Sequence, residues 1–467
     1  MRLPHSIKSA RLLTLVGLAL SATHAAAQCP WSSQFASAAS GLTGGNGYPA
    51  AAYCMQVFDP DGPGPLPDEL YVGGYFITAG GNSALRIAKW NGTSWSIVGG
   101  GMSGTNAEVR ALGLHDPDGP GPALPVLVAA GTFTSAGGVA VSNIASWDGH
   151  QWSPLGSPQL QYFPCGIADF DPDGSGPLPA KLVLAGGFEH PSGAYFTAIS
   201  MWDGQSWTVA PEGGPGGARA MAIFDQDGAG PENDSIFIGT TDSPGIWRFD
   251  GTTWNVVGGG LTRSLPYICN TLRVVDEDGP GPGRPALLVG GSFSAAGGIG
   301  AFGIARWNGA AWSAMGPGLA DVNDILAIDR PGLPPTIYAV TLYNVNRWNT
   351  SAWTNVGTLD GTSIFAVSMR LAAYSGPDAT PSLYLGGYAN TIDAIPLWGI
   401  ARTQCTCYAN CDASAASPLL TANDFQCFLN RFAQQNAYAN CDGSTNLPTL
   451  TANDFQCYLN AYAAGCS

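Results

Sequence analysis

Along most of the chain, apolar residues fall in short β-branched runs that end in small residues: 70–74, 126–131, 182–187, 287–291 and 383–387. A shorter apolar pair follows in several copies: Ile87–Ala88, Ile144–Ala145, Ile304–Ala305 and Ile400–Ala401. After it comes the pattern Trp-x-Gly-x-x-Trp, and upstream lies a further strand, such as residues 109–114 or 272–275. Each copy therefore predicts four short strands separated by turns, recurring every 40 to 60 residues or roughly so. The aromatic pairs are Trp90/Trp95, Trp147/Trp152, Trp202/Trp207, Phe249/Trp254, Trp307/Trp312 and Trp348/Trp353, with Thr350 in the glycine slot of the last. A further copy is split between the ends of the chain. Residues 399–402 repeat 303–306, but Thr403 stands where the first Trp belongs. Near the other end, residues 30–42 resemble 312–319, so the strand around Trp31 is expected to complete that copy.

One four-stranded sheet has two apolar faces and cannot cover both alone, whereas neighbouring sheets arranged in a circle cover one another. The expected fold is therefore all-β. It is a seven-bladed β-propeller over residues 28–403, closed by the N- and C-terminal strands, with a small α-helical module after it. The paired glycines suit an innermost strand, where sheets converge. The tryptophans are expected to pack between blades rather than to form a surface stripe for sugars.

Composition narrows this picture. With 64 Gly, 35 Pro and 11% charged residues the chain is unsuited to long helices, and its 45% apolar residues set it apart from disordered sequences. Arg2, Lys8 and Arg11 precede an apolar stretch at 12–20 and three alanines at 25–27, which predicts a secretory signal peptide over residues 1–27 and a secreted or cell-surface protein. Cys29 raises the rival reading of a lipoprotein signal, which Gln28 fits poorly. No later segment is long and apolar enough for a transmembrane span. Removing the leader makes the formal charge of −15 three units more negative, which argues against nucleic acid as a partner.

The Gly-Gly-x-Phe, Ile-Ala-x-Trp and Trp-x-Gly-x-x-Trp elements, seen at Gly131 to Phe133, Gly291 to Phe293 and the positions above, resemble kelch-like and cortical-marker propeller repeats. The resemblance spans about residues 29–403. It implies a fold, and a binding or structural platform more often than an enzyme.

Five copies carry a near-identical insertion: Asp59/Asp61, Asp116/Asp118, Asp171/Asp173, Asp225/Asp227 and Asp276/Asp278, each pair followed by Gly. Asp-Gly with a nearby Pro turns a chain. The same Asp-x-Asp-Gly also resembles the opening of a calcium loop, so these hairpins are candidate cation sites, although no distant acidic ligand follows at a fixed spacing.

After Thr403 the composition shifts. Seven of the 11 cysteines lie at 405–466, and residues 408–427 are repeated at 438–457. Each copy leads from a loop into an amphipathic stretch, 425–432 and 455–462, with Thr421 and Thr451 placed as helix N-caps. This arrangement resembles a dockerin of the cysteine-bearing type that ends near Gly-Cys, found on exported proteins of planctomycete-like bacteria. The resemblance implies Ca²⁺ held by Asn410, Asp412, Ser414, Thr421 and Asp424 in one loop. In the other it implies Asn440, Asp442, Ser444, Thr451 and Asp454. It also implies a cohesin-like or cell-surface anchoring partner. The loops are longer than the standard ones and carry two carboxylates each, so modest affinity is expected, and disulfides alone are the other way of fixing them. Cys411 with Cys427 and Cys441 with Cys457 are equivalent pairs, and a bond from Cys29 to Cys405 or Cys407 would join the chain ends. Zinc at 405–411 is the less favoured use of those thiols in an oxidising compartment.

Only His115, His150 and His190 remain after the leader, in no recognisable catalytic motif, and the chain has six glutamates. The leading expectation is a non-catalytic extracellular platform with a polysaccharide or protein ligand. The alternative is a carbohydrate-active enzyme, a glycoside hydrolase or lyase recruited to a polysaccharide-degrading assembly, because propeller glycosidases draw single carboxylates from different blades.

Overall fold

A computed structural model describes residues 30–45, 47–119, 121–173, 180–190, 192–193, 195–226, 233–262, 269–279, 283–330, 333–361, 369–376, 381–403, 422–434, 439, 451–452, 454–456 and 458–459. Antiparallel strands dominate it. The first unit runs Ala51–Phe58, Glu69–Tyr75, Ile87–Trp90 and Trp95–Ile97, hydrogen-bonded in that order. The same order recurs from the first strands Val109–His115, Leu160–Phe170, Ala220–Phe224 and Cys269–Val275. A sixth unit starts at Asp324–Arg330 and ends on Trp353–Asp360. The last pairs Arg370–Tyr374, Ser382–Gly386 and Ile400–Arg402, and Trp31 bridges Thr403 beside it. First strands of successive units are neighbours, and Arg370–Tyr374 neighbours Ala51–Phe58.

In every copy the second aromatic of the motif stands opposite the first, as Trp95 does Trp90 and Trp254 does Phe249. The Asn or Asp between them makes the turn. Asp148 Oδ1 accepts the amides of His150 (2.8 Å) and Gln151 (2.7 Å), and Asn91, Asp203, Asp250, Asn308 and Asn349 do the same in their copies. The glycine slot needs a left-handed backbone: Gly92 has φ 93 and Gly309 φ 94. Thr350 is forced to φ 76 there, an unfavourable state for a β-branched residue.

The second Trp of each motif ties its unit to the one before. Its indole Nε1 donates to a backbone carbonyl there: Trp95 to Ser40 (2.9 Å), Trp152 to Val98 (3.3 Å), Trp207 to Leu155 (2.5 Å) and Trp254 to Pro211 (3.2 Å). Trp312 reaches Gly258 (3.1 Å) and Trp353 reaches Met315 (3.2 Å). Trp31 does the same to Val356 (2.9 Å), although it comes from the other end of the chain. A glycine at or after the carbonyl lets the ring approach. A Cβ on Gly99, Gly258 or Gly357 would collide with the tryptophan concerned. Buried apolar side chains accordingly cluster between units. Tyr71 and Ile87 of the first meet Val109 and Leu127 of the second, and Tyr374 and Tyr384 of the last meet Leu70 and Val72 of the first. The tryptophans thus pack between sheets, as expected.

Two expectations are corrected. The paired glycines end the second strand of a unit, not the first. A Cβ on Gly73 would strike Val109 of the next unit, and one on Gly74 would strike the Ala51 carbonyl where the pairing slips at Ala52/Cys54. The disulfide expectation is also cut back: no two described cysteines stand at bonding distance from each other, although Cys427 is itself disulfide-bonded. Cys54, Cys165 and Cys269 are free thiols on first strands of three different units. Of the cysteines expected to pair, Cys29, Cys405, Cys407, Cys411, Cys441 and Cys457 lie outside the described residues, as does the leader at 1–27.

In the C-terminal part, Ala422–Ala433 is a helix that buries Phe428, which stacks on Tyr458 at 3.9 Å. Thr451 is a helix cap, as expected. Its amide donates to Asp454 Oδ2 (2.7 Å), and the Asp454 amide returns a bond to the Thr451 carbonyl (3.2 Å). No helix among the described residues is long and apolar enough to cross a membrane.

Trp152→Phe should lower stability by about 1–3 kcal/mol, because the Val98 carbonyl loses its donor in a buried site. Gly99→Ala, strained at φ 50 as well as crowded, should cost more; denaturant melts of both variants check the order. Thr350→Gly should raise stability by roughly 1 kcal/mol, read in the same way, as left-handed strain is relieved.

Asp250 gives a pH test. Partial burial pushes its carboxyl up, but hydrogen bonds from Thr253 and Thr252 outweigh this and hold it well below the usual carboxylate range. A depressed carboxylate stabilises above its unfolded value and loses that contribution as pH falls through the folded one. Asp250→Asn should therefore melt within roughly 0.5 kcal/mol of the parent at pH 7. In acid it should lose less stability than the parent does.

Candidate functional site

Early residues of first strands meet early residues of the neighbouring first strand, and late meet late. Cys54 Sγ contacts the Val109 carbonyl (3.8 Å), and Asp324 Oδ1 and Oδ2 accept from Thr271 Oγ1 and the Leu371 amide (both 2.9 Å). At the other ends, His115 Nδ1 meets Asp169 Oδ1 (2.6 Å), whose Oδ2 accepts the Asp116 amide (2.7 Å). The N-terminal ends of the first strands thus define one face and their C-terminal ends the opposite face.

The Asp hairpins follow the C-terminal ends, and most of their oxygens are employed in turning the chain. Asp59, Asp116 and Asp171 each accept the amide two residues on (3.2, 3.3 and 3.2 Å). Asp61, Asp118 and Asp278 each accept the amide five residues on, from Leu66 (3.1 Å), Ala123 (3.0 Å) and Gly283 (2.8 Å). The second Gly of the motif is needed for this, since a Cβ on Gly64 or Gly121 would strike the Asp61 or Asp118 carboxylate. Asp61 Oδ1 and Asp276 Oδ1 are buried with no hydrogen-bond partner. Asp276 is raised by its hydrogen bond with Asp278 and by desolvation. Asp225 neighbours Asp234, whose carboxyl is raised by burial and then by Asp225 and Asp171. Asp173 keeps its place in the third hairpin, and Asp227 lies outside the described residues. Among the described residues, no group of three or more His, Cys, Asp or Glu is arranged to hold a metal ion.

Of the ligands implied for the C-terminal loops, Asp424 and Asp454 are fully buried and Thr451 half-buried. Asp454 is engaged in the helix cap described above. Asn410, Asp412, Ser414, Thr421, Asn440, Asp442 and Ser444 lie outside the described residues.

The other face carries what the repeat did not advertise. Third strands run in the sense of first strands, so residues just before or at the start of either lie on this face. Among the described residues, every exposed large aromatic is there: Tyr48, Tyr162, Phe163, Phe196, Phe302, Tyr343 and Trp398. The opposite face exposes only aliphatic side chains, such as Leu66, Leu114 and Leu124. Near the strand starts, Arg110 lies over the rings of Tyr53 (4.0 Å) and Phe163 (4.2 Å) and is held by Glu108 (2.5 Å). Tyr53 and Tyr388 share a hydroxyl–hydroxyl bond (2.6 Å), and burial with that bond pushes the Tyr53 phenol up. Burial also pushes the Cys54, Cys165 and Cys269 thiols up to about 12, which makes them inert rather than nucleophilic. Arg370 of the last unit offsets this partly at both Cys54 and Cys165, so units far apart in sequence converge here. Sequence reasoning missed this cluster because Tyr53, Arg110, Phe163 and Tyr388 belong to four different copies and share no motif.

No known protein family and no curated protein matches the chain. Among solved structures it is distantly similar to BBS1N in complex with ARL6DN soaked with mercury, with a TM-score of 0.41, 11% identity, and 78% of this chain and 93% of that one covered. The same complex soaked with lead gives a TM-score of 0.40 at 12% identity with the same coverage.

Proposed function

We propose that residues 28–403 form a seven-bladed β-propeller, closed by the strand at Trp31, which serves outside the cell as a non-catalytic binding or structural platform. The observation that carries this reading is the seven-fold set of indole–carbonyl bonds. Trp31 joins the last unit to the sixth, and Trp95 binds a carbonyl of the N-terminal segment, so the pattern leaves no unit without a neighbour. Its resemblance to kelch-like and cortical-marker repeats, which mostly serve as platforms, points the same way. So do the positional duties of its distinctive carboxylates: Asp324 and Asp169 fasten neighbouring units, and the hairpin aspartates fold their own turns.

Residues 404–467 are read as a dockerin-like module that engages a cohesin-like or cell-surface partner. Asp424 would contribute to one Ca²⁺ loop and Asp454 to the other, the ion fixing the loop against its helix. The buried, unpartnered Asp61 Oδ1 extends the cation reading to the hairpins.

The enzyme alternative keeps one observation of its own. The Asp234 carboxyl is raised by burial and then by Asp225 and Asp171, the direction in which a general acid is tuned.

Trp31→Ala should lower stability by about 3–5 kcal/mol and open the chain ends to proteases, whereas a fold that does not close would barely respond. Calcium added to the full chain should raise its melting temperature over an EGTA control, and no shift would defeat the calcium assignment. Release of reducing ends from polysaccharides, abolished by Asp234→Asn, would favour the enzyme over the platform.

A further inference from the structure

In three copies the hairpin after the second strand folds back into a separate three-stranded sheet, as Thr78–Ala79 and Asn82–Ser83 do with Leu42–Thr43. The third unit departs from this. Its strands Leu160–Phe170, Lys181–Glu189 and Phe196–Trp202 simply continue past the sheet as a ribbon. Glu189 pairs with Phe196, and Tyr162 pairs with Gly187, where any Cβ would collide with the tyrosine ring. Tyr162 and Phe196 therefore lie together over a glycine floor, their rings 5.8 Å apart, with 60% and 42% of their surfaces exposed. Phe163, the next residue along the strand from Tyr162, is 55% exposed and carries the Arg110 guanidinium. Solvent-exposed aromatics grouped in this way mark a binding surface rather than a core.

The polar groups beside this wall decide what it suits. Glu108 neutralises Arg110. Tyr53 keeps its phenolic proton, because burial and Tyr388 hold its ionisation up. The cluster thus offers several donors and acceptors next to flat apolar rings, with the Arg110 charge balanced by Glu108, on a chain of formal charge −15 that repels polyanions. A neutral sugar matches that combination: its pyranose C–H face stacks on an aromatic ring while its hydroxyls reach the polar edge.

We propose that Tyr162, Phe163 and Phe196, with the Arg110–Glu108 pair and the Tyr53–Tyr388 hydroxyls, form a subsite for a neutral polysaccharide chain. This rests on the platform reading and names its ligand class. Rings stack on Phe163 and on the Tyr162–Phe196 pair, and Arg110, locked between Tyr53 and Phe163, presents its remaining N–H groups in a fixed direction.

The test titrates the full chain calorimetrically with cellohexaose, xylohexaose, mannohexaose and chitohexaose, and with polygalacturonate as the anionic arm. At least one neutral oligosaccharide should bind. The double variant Tyr162→Ala/Phe163→Ala should weaken it by about tenfold or more. Phe302→Ala, an exposed aromatic of another unit on the same face, should leave binding unchanged, with melting curves confirming that both variants fold. The proposal is overturned if no neutral oligosaccharide binds, if the double variant binds as well as the parent, if Phe302→Ala loses binding equally, or if only polygalacturonate binds. Reducing ends are followed in the same samples. Their release would defeat the platform reading while leaving the subsite in place, so the two failures are distinguishable.

Discussion

One contact organises the molecule: an indole N–H reaching across to a backbone carbonyl of the preceding unit, beside a glycine that makes room for the ring. A tryptophan buries a large apolar area but brings a donor that must be satisfied. Here the donor's partner belongs to the preceding sheet, so burial and hydrogen bonding cannot be met by one unit alone. Trp152 on Val98 and Trp312 on Gly258 are the same solution in different copies. Trp31 on Val356 extends it to the chain ends, where a terminal strand would otherwise leave an apolar sheet face exposed.

That constraint leaves the two faces free to differ. With the first strands all running in one sense, whatever follows them collects on one side and whatever precedes them on the other. The Asp hairpins occupy the first side, and their carboxylates are largely consumed by local amides, as Asp61 and Asp118 show. The exposed aromatics occupy the second side, where no repeated turn demands them. The third unit then adds its own departure, a ribbon in place of a folded-back sheet. It places Tyr162 and Phe196 at the surface, at a cost in exposed apolar area that packing within the unit does not explain.

Much of this was legible in the residues, for identifiable reasons. The split copy could be completed from Trp31 because its surroundings repeat residues 312–319, and the bridge to Thr403 has the register of Trp95 opposite Trp90. The turn chemistry of Asp148 and its equivalents is local, since an Asx side chain two residues from its amide donor needs no tertiary help. The glycine pairs were placed one strand too far inward. What requires them is the approach of Val109 and a slipped register at Ala52/Cys54, neither of which a single strand advertises. Counting cysteines could not say which thiols stay single: Cys54, Cys165 and Cys269 lie on separate sheets and are free.

The sequence by itself determined the unit, its four strands, its turns and the role of its tryptophans, because these depend on local periodicity repeated in many copies. Only the tertiary structure decided which carbonyl each indole meets and that Asp324 fastens three units through Thr271 and Leu371. It alone also brought Tyr53, Arg110, Phe163 and Tyr388 into one cluster. Such contacts join residues from different copies, at separations that no repeat period encodes, and they arise only when the strand starts of several sheets are gathered on one face.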